Sequence, residues 1–247
     1  MQRDAERSTV AANRRFYTSL WSATSIVPPE RFNTWPLLSE LARDAPARLE
    51  IGPGLRPRLP VPGTCFVDVS PEALSPLAAG GGVATQGDVT ALPFRDGAFD
   101  LVCAFDVVEH VDDDHQIFRE LRRVTRAGAT VLFAVPLDPR RWSPFDDLVG
   151  HVRRYEPEAL LALLRAHDLV VERSAIFGME PRSRLLLRFA AWGLKHRPQQ
   201  AMRWYNAVIL PLGLRLQHRL ALEPGMIDAA RVGEILLVCR RGRSAAA

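Results

Sequence analysis

Lysine is all but missing from this chain of 247 residues: Lys195 is the only one, and the formal charge of +4 rests on arginine. Arginine and alanine are both used heavily. That is the mark of a GC-rich coding bias, so the arginine count alone says little about nucleic acid. Cysteine is scarce too, and Cys65, Cys103 and Cys239 each sit in an apolar, strand-like run. An odd number so placed argues against a disulfide framework. It reads as reduced, buried thiols and predicts a cytoplasmic protein. No stretch reaches the roughly 18 consecutive apolar residues of a membrane-spanning helix. No apolar run follows a basic start, so no signal peptide is expected either. With 47% apolar and 24% charged residues the composition is that of an ordinary globular protein. The length suits one large α/β domain, or a core with an added subdomain.

Apolar runs and breakers alternate as strand, crossover, strand. Strands are expected at 48–51, 64–69, 83–85, 101–105, 130–135, 169–176 and 235–239, and helices at 71–79, 115–125 and 157–167. That order predicts an α/β fold: a doubly wound, mostly parallel, seven-stranded sheet of Rossmann-like type. Pro71 and Pro157 stand at first helical positions, and Ser70 is placed to cap the helix it precedes. Pro53, Pro57, Pro60 and Pro62 leave little room for a regular helix after the first strand. Residues 1–47 read as an N-terminal helical cap, rich in aromatics and broken at Pro28-Pro29, which covers either the sheet or a ligand crevice. Residues 136–155 read as a loop. The core is expected at 48–178 and 233–241, with 179–232 as a helical insertion before the last strand. From Pro181 to Leu222 that insertion has eight lysines and arginines and no acid, which leaves the rest of the chain net negative.

Open parallel sheets bind ligands at the carboxyl ends of their strands. Here those ends carry acids: Glu50 after the first strand, Asp68 after the second, Asp88 beyond the third. Gly52 and Gly54 follow Glu50 and let backbone approach a ligand closely. A carboxylate at a strand tip can accept both hydroxyls of a ribose. An acid or a backbone carbonyl can take the exocyclic amine of adenine, and a further acid can balance an ammonium. A dinucleotide is the competing ligand, but Pro57 stands where its fingerprint needs a third glycine.

Leu-Glu-Ile-Gly-Pro-Gly at 49–54 is followed by Phe-Val-Asp-Val-Ser at 66–70 and Gly-Asp-Val-Thr-Ala-Leu-Pro-Phe at 87–94. Phe-Asp-Leu-Val-Cys-Ala-Phe-Asp-Val-Val-Glu-His-Val at 99–111 and Glu-Leu-Arg-Arg-Val-Thr-Arg-Ala-Gly-Ala at 120–129 complete the set. In this order and spacing the set resembles the class I S-adenosylmethionine-dependent methyltransferases, especially the group with the ubiquinone and menaquinone methyltransferases. The resemblance covers residues 48–178 and the last strand. It implies S-adenosyl-L-methionine as cofactor, held by Glu50, Gly52, Gly54, Asp68, Val69, Asp88, Val89, Phe105, Asp106 and His110. The family usually has glycine where this chain has Arg56, and a helix where this chain has its proline-rich connector. The loop is expected to be reshaped around the same ligand.

The fourth strand lacks the Asn/Asp-Pro-Pro-aromatic ending of methyltransferases that act on base amino groups. A small or lipid-like acceptor, methylated at oxygen or carbon, is therefore expected. A stretch similar to His-x-Arg-Arg-Tyr in related methyltransferases runs from His151 to Tyr155. His151 is the candidate base. Arg154 and Tyr155, with Tyr17 and Trp21 of the cap, are candidates for the acceptor wall. Asp112-Asp113-Asp114 reads as helix N-terminal charge, so no metal site is expected. The stretch 182–220 reads as a lid over the acceptor, with peripheral contact to anionic lipid or a plain helical layer as the other readings. A catalytically silent binding protein and an RNA methyltransferase are the alternative functions, nucleic acid being the weakest partner.

Overall fold

The computed structural model describes residues 25–178, 192–193, 196–230 and 232–243, so Tyr17, Trp21 and residues 179–191 of the expected insertion lie outside the described residues. A 3-10 turn at Pro29–Arg31 leads into α1 (Trp35–Arg43) and β1 (Arg48–Ile51). β2 (Thr64–Asp68) follows with no helix between, as the four connector prolines require. Next come α2 (Pro71–Ala79), β3 (Val83–Gln86), β4 (Phe99–Phe105), α3 (Asp114–Val124) and β5 (Thr125–Pro136). Ser70 occupies the N-cap position of α2, but its hydroxyl makes no cap bond and donates to Glu72 instead. The expected loop at 136–155 contains a short α4 (Pro144–Val149). Ser143 and Asp146 start it with a capping box, the Ser143 N–H donating to Asp146 Oδ2 at 2.8 Å. α5 (Pro157–Ala166) and β6 (Leu169–Ile176) follow. In the insertion α6 (Pro198–Trp204) passes through a π turn (Tyr205–Ile209) into α7 (Leu210–Arg215). β7 (Glu223–Pro224) and β8 (Glu234–Arg241) end the described fold.

Among the described residues the sheet has eight strands, in the order β3-β2-β1-β4-β5-β8-β6-β7. β1 to β5 pair in parallel, while β8 runs antiparallel to both β5 and β6. The strand beyond the expected seven is β7, two residues long, laid against Arg173 and Ser174 as the insertion returns. A two-residue strand containing proline carries no sequence period, which is why the pattern gave no sign of it. Strand order reverses between β1 and β4.

Alternate residues of the central strands feed two layers. Leu49, Ile51, Val102, Ala104, Val131 and Phe133 meet Ile117, Phe118 and Leu121 of α3 and Leu160 and Leu164 of α5. Leu101, Cys103, Phe105, Leu132 and Ala134 meet Leu37, Leu38 and Ala42 of α1 and Leu59 of the connector. α1 and the connector thus cover the face that a helix after β1 would otherwise cover. Each fully buried leucine there contributes roughly 1.5–3 kcal/mol. Cys65, Cys103 and Cys239 are free thiols. Among the described residues no helix is long and apolar enough to cross a membrane.

Candidate functional site

Where β1 and β4 part, the sequence places its glycines and acids. The Gly52 N–H extends the ladder to Val67 O at 2.8 Å, and the chain then turns with φ at 62°. A Cβ at Gly52 would stand 2.7 Å from Val107 Cγ2, so both backbone and space demand glycine. The Gly54 N–H donates to Asp68 Oδ2 at 3.1 Å, and Asp68 Oδ1 accepts from the Ser70 N–H at 2.8 Å. The acid at the β2 tip therefore ties the glycine turn to the start of α2. Burial lifts the Asp68 carboxyl above the usual carboxylate range in spite of these N–H bonds. Val69 next to it is half-buried. Asp88 closes its own turn, with Oδ1 accepting from the Thr90 N–H and hydroxyl, each at 2.9 Å, and Val89 beside it is buried. Phe105 ends β4 buried, and Asp106 follows exposed, at a φ of 55°.

Glu50 is placed unlike the other two acids. It is 1% exposed, and its carboxylate turns onto the connector. It accepts the Arg58 N–H at 2.8 and 3.1 Å and the Leu59 N–H at 2.9 Å. Burial pushes its pKa up to about 7, against those bonds and the Arg58 charge. The Arg58 guanidinium lies 3.8 Å from the Phe32 ring centroid and 5.6 and 5.7 Å from those of Phe105 and Phe177. Arg56, at the family's glycine position, stacks on the Tyr205 ring at 5.0 Å, which ties the reshaped loop to the insertion.

A second group gathers beyond the β4 and β5 tips. The 3-10 turn Val108–His110 supplies Glu109 and His110, and the segment after α4 supplies His151. The Val152 N–H donates to Glu109 O at 2.8 Å and holds the two segments together. His151 Nδ1 donates to Asp146 Oδ1 at 2.9 Å, and the same oxygen accepts from Arg154 Nε at 2.8 Å. His110 Nδ1 donates to Gly150 O at 3.1 Å. The two imidazoles meet edge-on with centroids 4.8 Å apart. His151 Nε2 lies 3.7 Å from Glu109 Oε1. Glu109 is fully buried, and neither of its carboxylate oxygens has a hydrogen-bond partner among the described residues. Burial, then the charge of Asp106, pushes its pKa well above the carboxylate range. Burial, then His151, holds His110 down at about 4, so it is neutral near pH 7. Burial would raise Asp146, but the bonds from His151, Arg154 and Ser143 hold it below the usual range.

Arg154 is buried and spends its guanidinium on Asp146 and on the carbonyls of Leu137 and Gly233. It clamps the loop to the sheet. Tyr155 is 5% exposed, bridges to Leu137 and donates its hydroxyl to Asp114 at 3.2 Å. Sequence reasoning passed over Glu109, Asp146, Arg58 and Tyr205 as site residues. Ser143-Pro-Phe-Asp146 just before His151 was the readable signal for one of them, being a capping signature. A cleft lined by Glu40, Asp44, Asp100, Arg126 and Arg240 opens at the opposite end of the strands and includes none of these groups.

A family model described as a methyltransferase domain matches residues 62–133, from β2 into β5. Ajmaline N-methyltransferase of Rauvolfia serpentina is 27% identical over 200 residues, which cover 71% of this chain and 67% of that one. Demethylmenaquinone methyltransferase of Roseiflexus sp. (strain RS-1) is 31% identical over 117 residues; the match covers 44% of this chain and 48%, about half, of that relative. A crystal structure of an S-adenosylmethionine-dependent methyltransferase from Thermotoga maritima superposes with a TM-score of 0.55 at 16% identity, covering 85% of this chain and 90% of that one. Strand order and the glycine turn are those of an open α/β sheet with its crevice at the strand tips. The methyltransferase domain over 62–133 and the similarity to ajmaline N-methyltransferase support a class I S-adenosylmethionine-dependent methyltransferase, with S-adenosyl-L-methionine as cofactor. Its residues fit that cofactor at the glycine turn, where Gly52 and Gly54 take left-handed backbone at φ of 62° and 53°, and at Asp68 of the β2 tip.

Proposed function

We propose that this enzyme methylates a small or lipid-like acceptor at oxygen or carbon, with His151 taking the acceptor's proton. His151 carries the reading. Asp146 fixes its ring through Nδ1–H, so the lone-pair nitrogen is Nε2, and that atom faces the Glu109 side of the cluster. A hydroxyl or an acidic carbon must lose a proton as it is methylated, and a positioned neutral imidazole accelerates that transfer by roughly 10²–10⁴-fold. S-adenosylmethionine supplies an already activated methyl group on a cationic sulfur. The chain's own task is placement. Asp68, Gly52 and Gly54 hold one side, Asp88 and Val89 flank the adenine, and Phe105 and Asp106 line the middle. The 137–156 segment, fixed by Arg154, Tyr155 and the α4 capping box, presents His151 from the other side. Holding two reactants in line is worth up to roughly 7–11 kcal/mol.

Nitrogen is the second acceptor type, favoured by the likeness to ajmaline N-methyltransferase across 71% of the chain. The test uses labelled S-adenosylmethionine with phenolic, carbon-acid and amine acceptors. His151→Ala should cut turnover of an oxygen or carbon acceptor at neutral pH at least about a hundredfold, with partial recovery at alkaline pH. Full turnover by that variant across the pH range rules out the base. An amine turned over equally by both proteins points to nitrogen. Calorimetry with sinefungin separates the silent alternative: no heat and no thermal stabilisation would mean a fold that has lost its donor.

A further inference from the structure

Glu109, His110 and His151 bring one ligand-type atom each to within 4.8 Å of one another. We propose that these three side chains bind one divalent transition-metal ion of the zinc type, set beside the acceptor position. Three observations converge on the centre of the cluster. The Glu109 carboxylate is fully buried, and both its oxygens lack hydrogen-bond partners among the described residues. Native interiors seldom leave a carboxylate so, unless a ligand completes it. Both imidazoles have their tautomer set by an acceptor on Nδ1, Asp146 Oδ1 for His151 and Gly150 O for His110. Nε2 is then the lone-pair nitrogen on each ring; that of His151 lies 3.7 Å from Glu109 Oε1, and His110 brings one ring nitrogen into the same 4.8 Å cluster. A carboxylate or carbonyl behind each ring is the usual support of a metal-ligating histidine. Asp146 is itself held by Arg154 and Ser143, so the support is rigid.

Two nitrogens and one carboxylate oxygen suit zinc and its neighbours better than magnesium or calcium, which prefer all-oxygen sites. Tetrahedral ligands at about 2.1 Å lie roughly 3.4 Å apart. His151 Nε2 and Glu109 Oε1, at 3.7 Å, are already near that spacing. Three protein ligands leave a position open, as catalytic zinc sites do. The acidic run at 112–114 is spent otherwise: Asp113 caps α3 and Asp114 pairs with Arg153. That the ion lies beside the acceptor rests on the methyl-transfer reading proposed above; with the ion bound, Nε2 of His151 is a ligand, so the base role assigned to it there belongs to the metal-free protein.

Chelator-stripped protein is titrated with Co²⁺ while its visible d–d absorption is followed, and Zn²⁺ is then added as competitor. Wild type should take up one Co²⁺ per chain, and Zn²⁺ should bleach the band. Glu109→Gln keeps the shape of the side chain and should lose at least tenfold in Co²⁺ affinity while melting cooperatively; Asp113→Asn should bind as wild type does. Absence of a Co²⁺ band in wild type, or unchanged affinity in Glu109→Gln, overturns the site. Sinefungin binding is measured on the same samples. Metal uptake without sinefungin binding upholds the ion and sinks the methyl-donor reading. Sinefungin binding without metal uptake sinks the ion alone.

Discussion

Substitution of Glu50 tests whether this acid serves the connector or the cofactor. Its two oxygens take the N–H groups of Arg58 and Leu59 in a place that is 1% exposed. Glu50→Ala strands both donors, at about 1–3 kcal/mol each, and the loss in stability should be roughly 2–5 kcal/mol. For a chain of this length that lowers Tm by roughly 5–15 °C. Glu50→Gln is gentler, because an amide oxygen in the Oε2 position reaches both donors, at 3.1 and 2.9 Å. It also isolates the charge. The folded pKa is about 7 against 4.5 for the free side chain. The native state therefore binds this proton more tightly than the unfolded state, and stability falls as pH rises from about 4.5 to 7 and is level above. A difference of that size amounts to about 3 kcal/mol, at 1.36 kcal/mol per pH unit. Urea unfolding at several pH values should show wild type losing about 3 kcal/mol relative to Glu50→Gln across that window, with sinefungin affinity changed less than a few-fold. Parallel pH profiles would refute the buried-acid account. Unchanged stability with a collapse in sinefungin affinity would return Glu50 to the cofactor.

Other predictions follow from neighbouring contacts. Gly52→Ala places a Cβ 2.7 Å from Val107 Cγ2 at a φ of 62°, and the left-handed backbone alone costs about 1–2 kcal/mol; thermal melts should show the loss, and adding Val107→Ala should recover the steric part and leave the backbone part. Asp68→Ala removes the acceptor of the Gly54 and Ser70 N–H groups, and sinefungin binding by calorimetry should weaken roughly ten- to hundredfold, the worth of charged hydrogen bonds. Trp204, Val208, Ile209, Leu212 and Leu216 are exposed on a segment bearing Arg203 and Arg215. If that segment rests on anionic lipid, the protein should sediment with anionic vesicles at low salt and less so at high salt, whereas equal sedimentation with neutral vesicles would exclude the electrostatic part.

The alternation of strands and helices was legible because β4 and β5 are apolar on both faces and α3 and α5 are apolar on one. The prolines of the connector announced the absent helix. α4 was read as loop: it is six residues long, too short for a period, and only its capping box marks it. The sequence brought Asp68 and the glycine turn together where position along the chain decides, and the structure joins them through the Gly54 N–H. The site was less legible where function depends on direction. Glu50 stands at a strand tip, but its side chain points to the face of Cys103, where the connector packs, and not to the face of Leu49 and Ile51. Glu109 and His151 are 42 positions apart, and only the fold of the 137–156 segment brings them to 3.7 Å.

The missing helix and the buried acid are two sides of one arrangement. Removing a helix after β1 opens the face that carries Leu101, Cys103 and Phe105, and something apolar must close it. α1 supplies Leu37 and Leu38, and the connector supplies Leu59. A proline-rich strip has few N–H groups of its own to pair, and those that are buried need acceptors. Glu50 meets that need for Arg58 and Leu59, the residues that carry the strip over the open face. The same strip brings the Arg58 cation among Phe32, Phe105 and Phe177, next to the β4 tip. An acid of the first motif has thus become an anchor for the segment that replaces a helix. The positive charge that segment carries stands at the β4 tip, where Asp106 favours it, with Glu50 committed to the backbone of the connector.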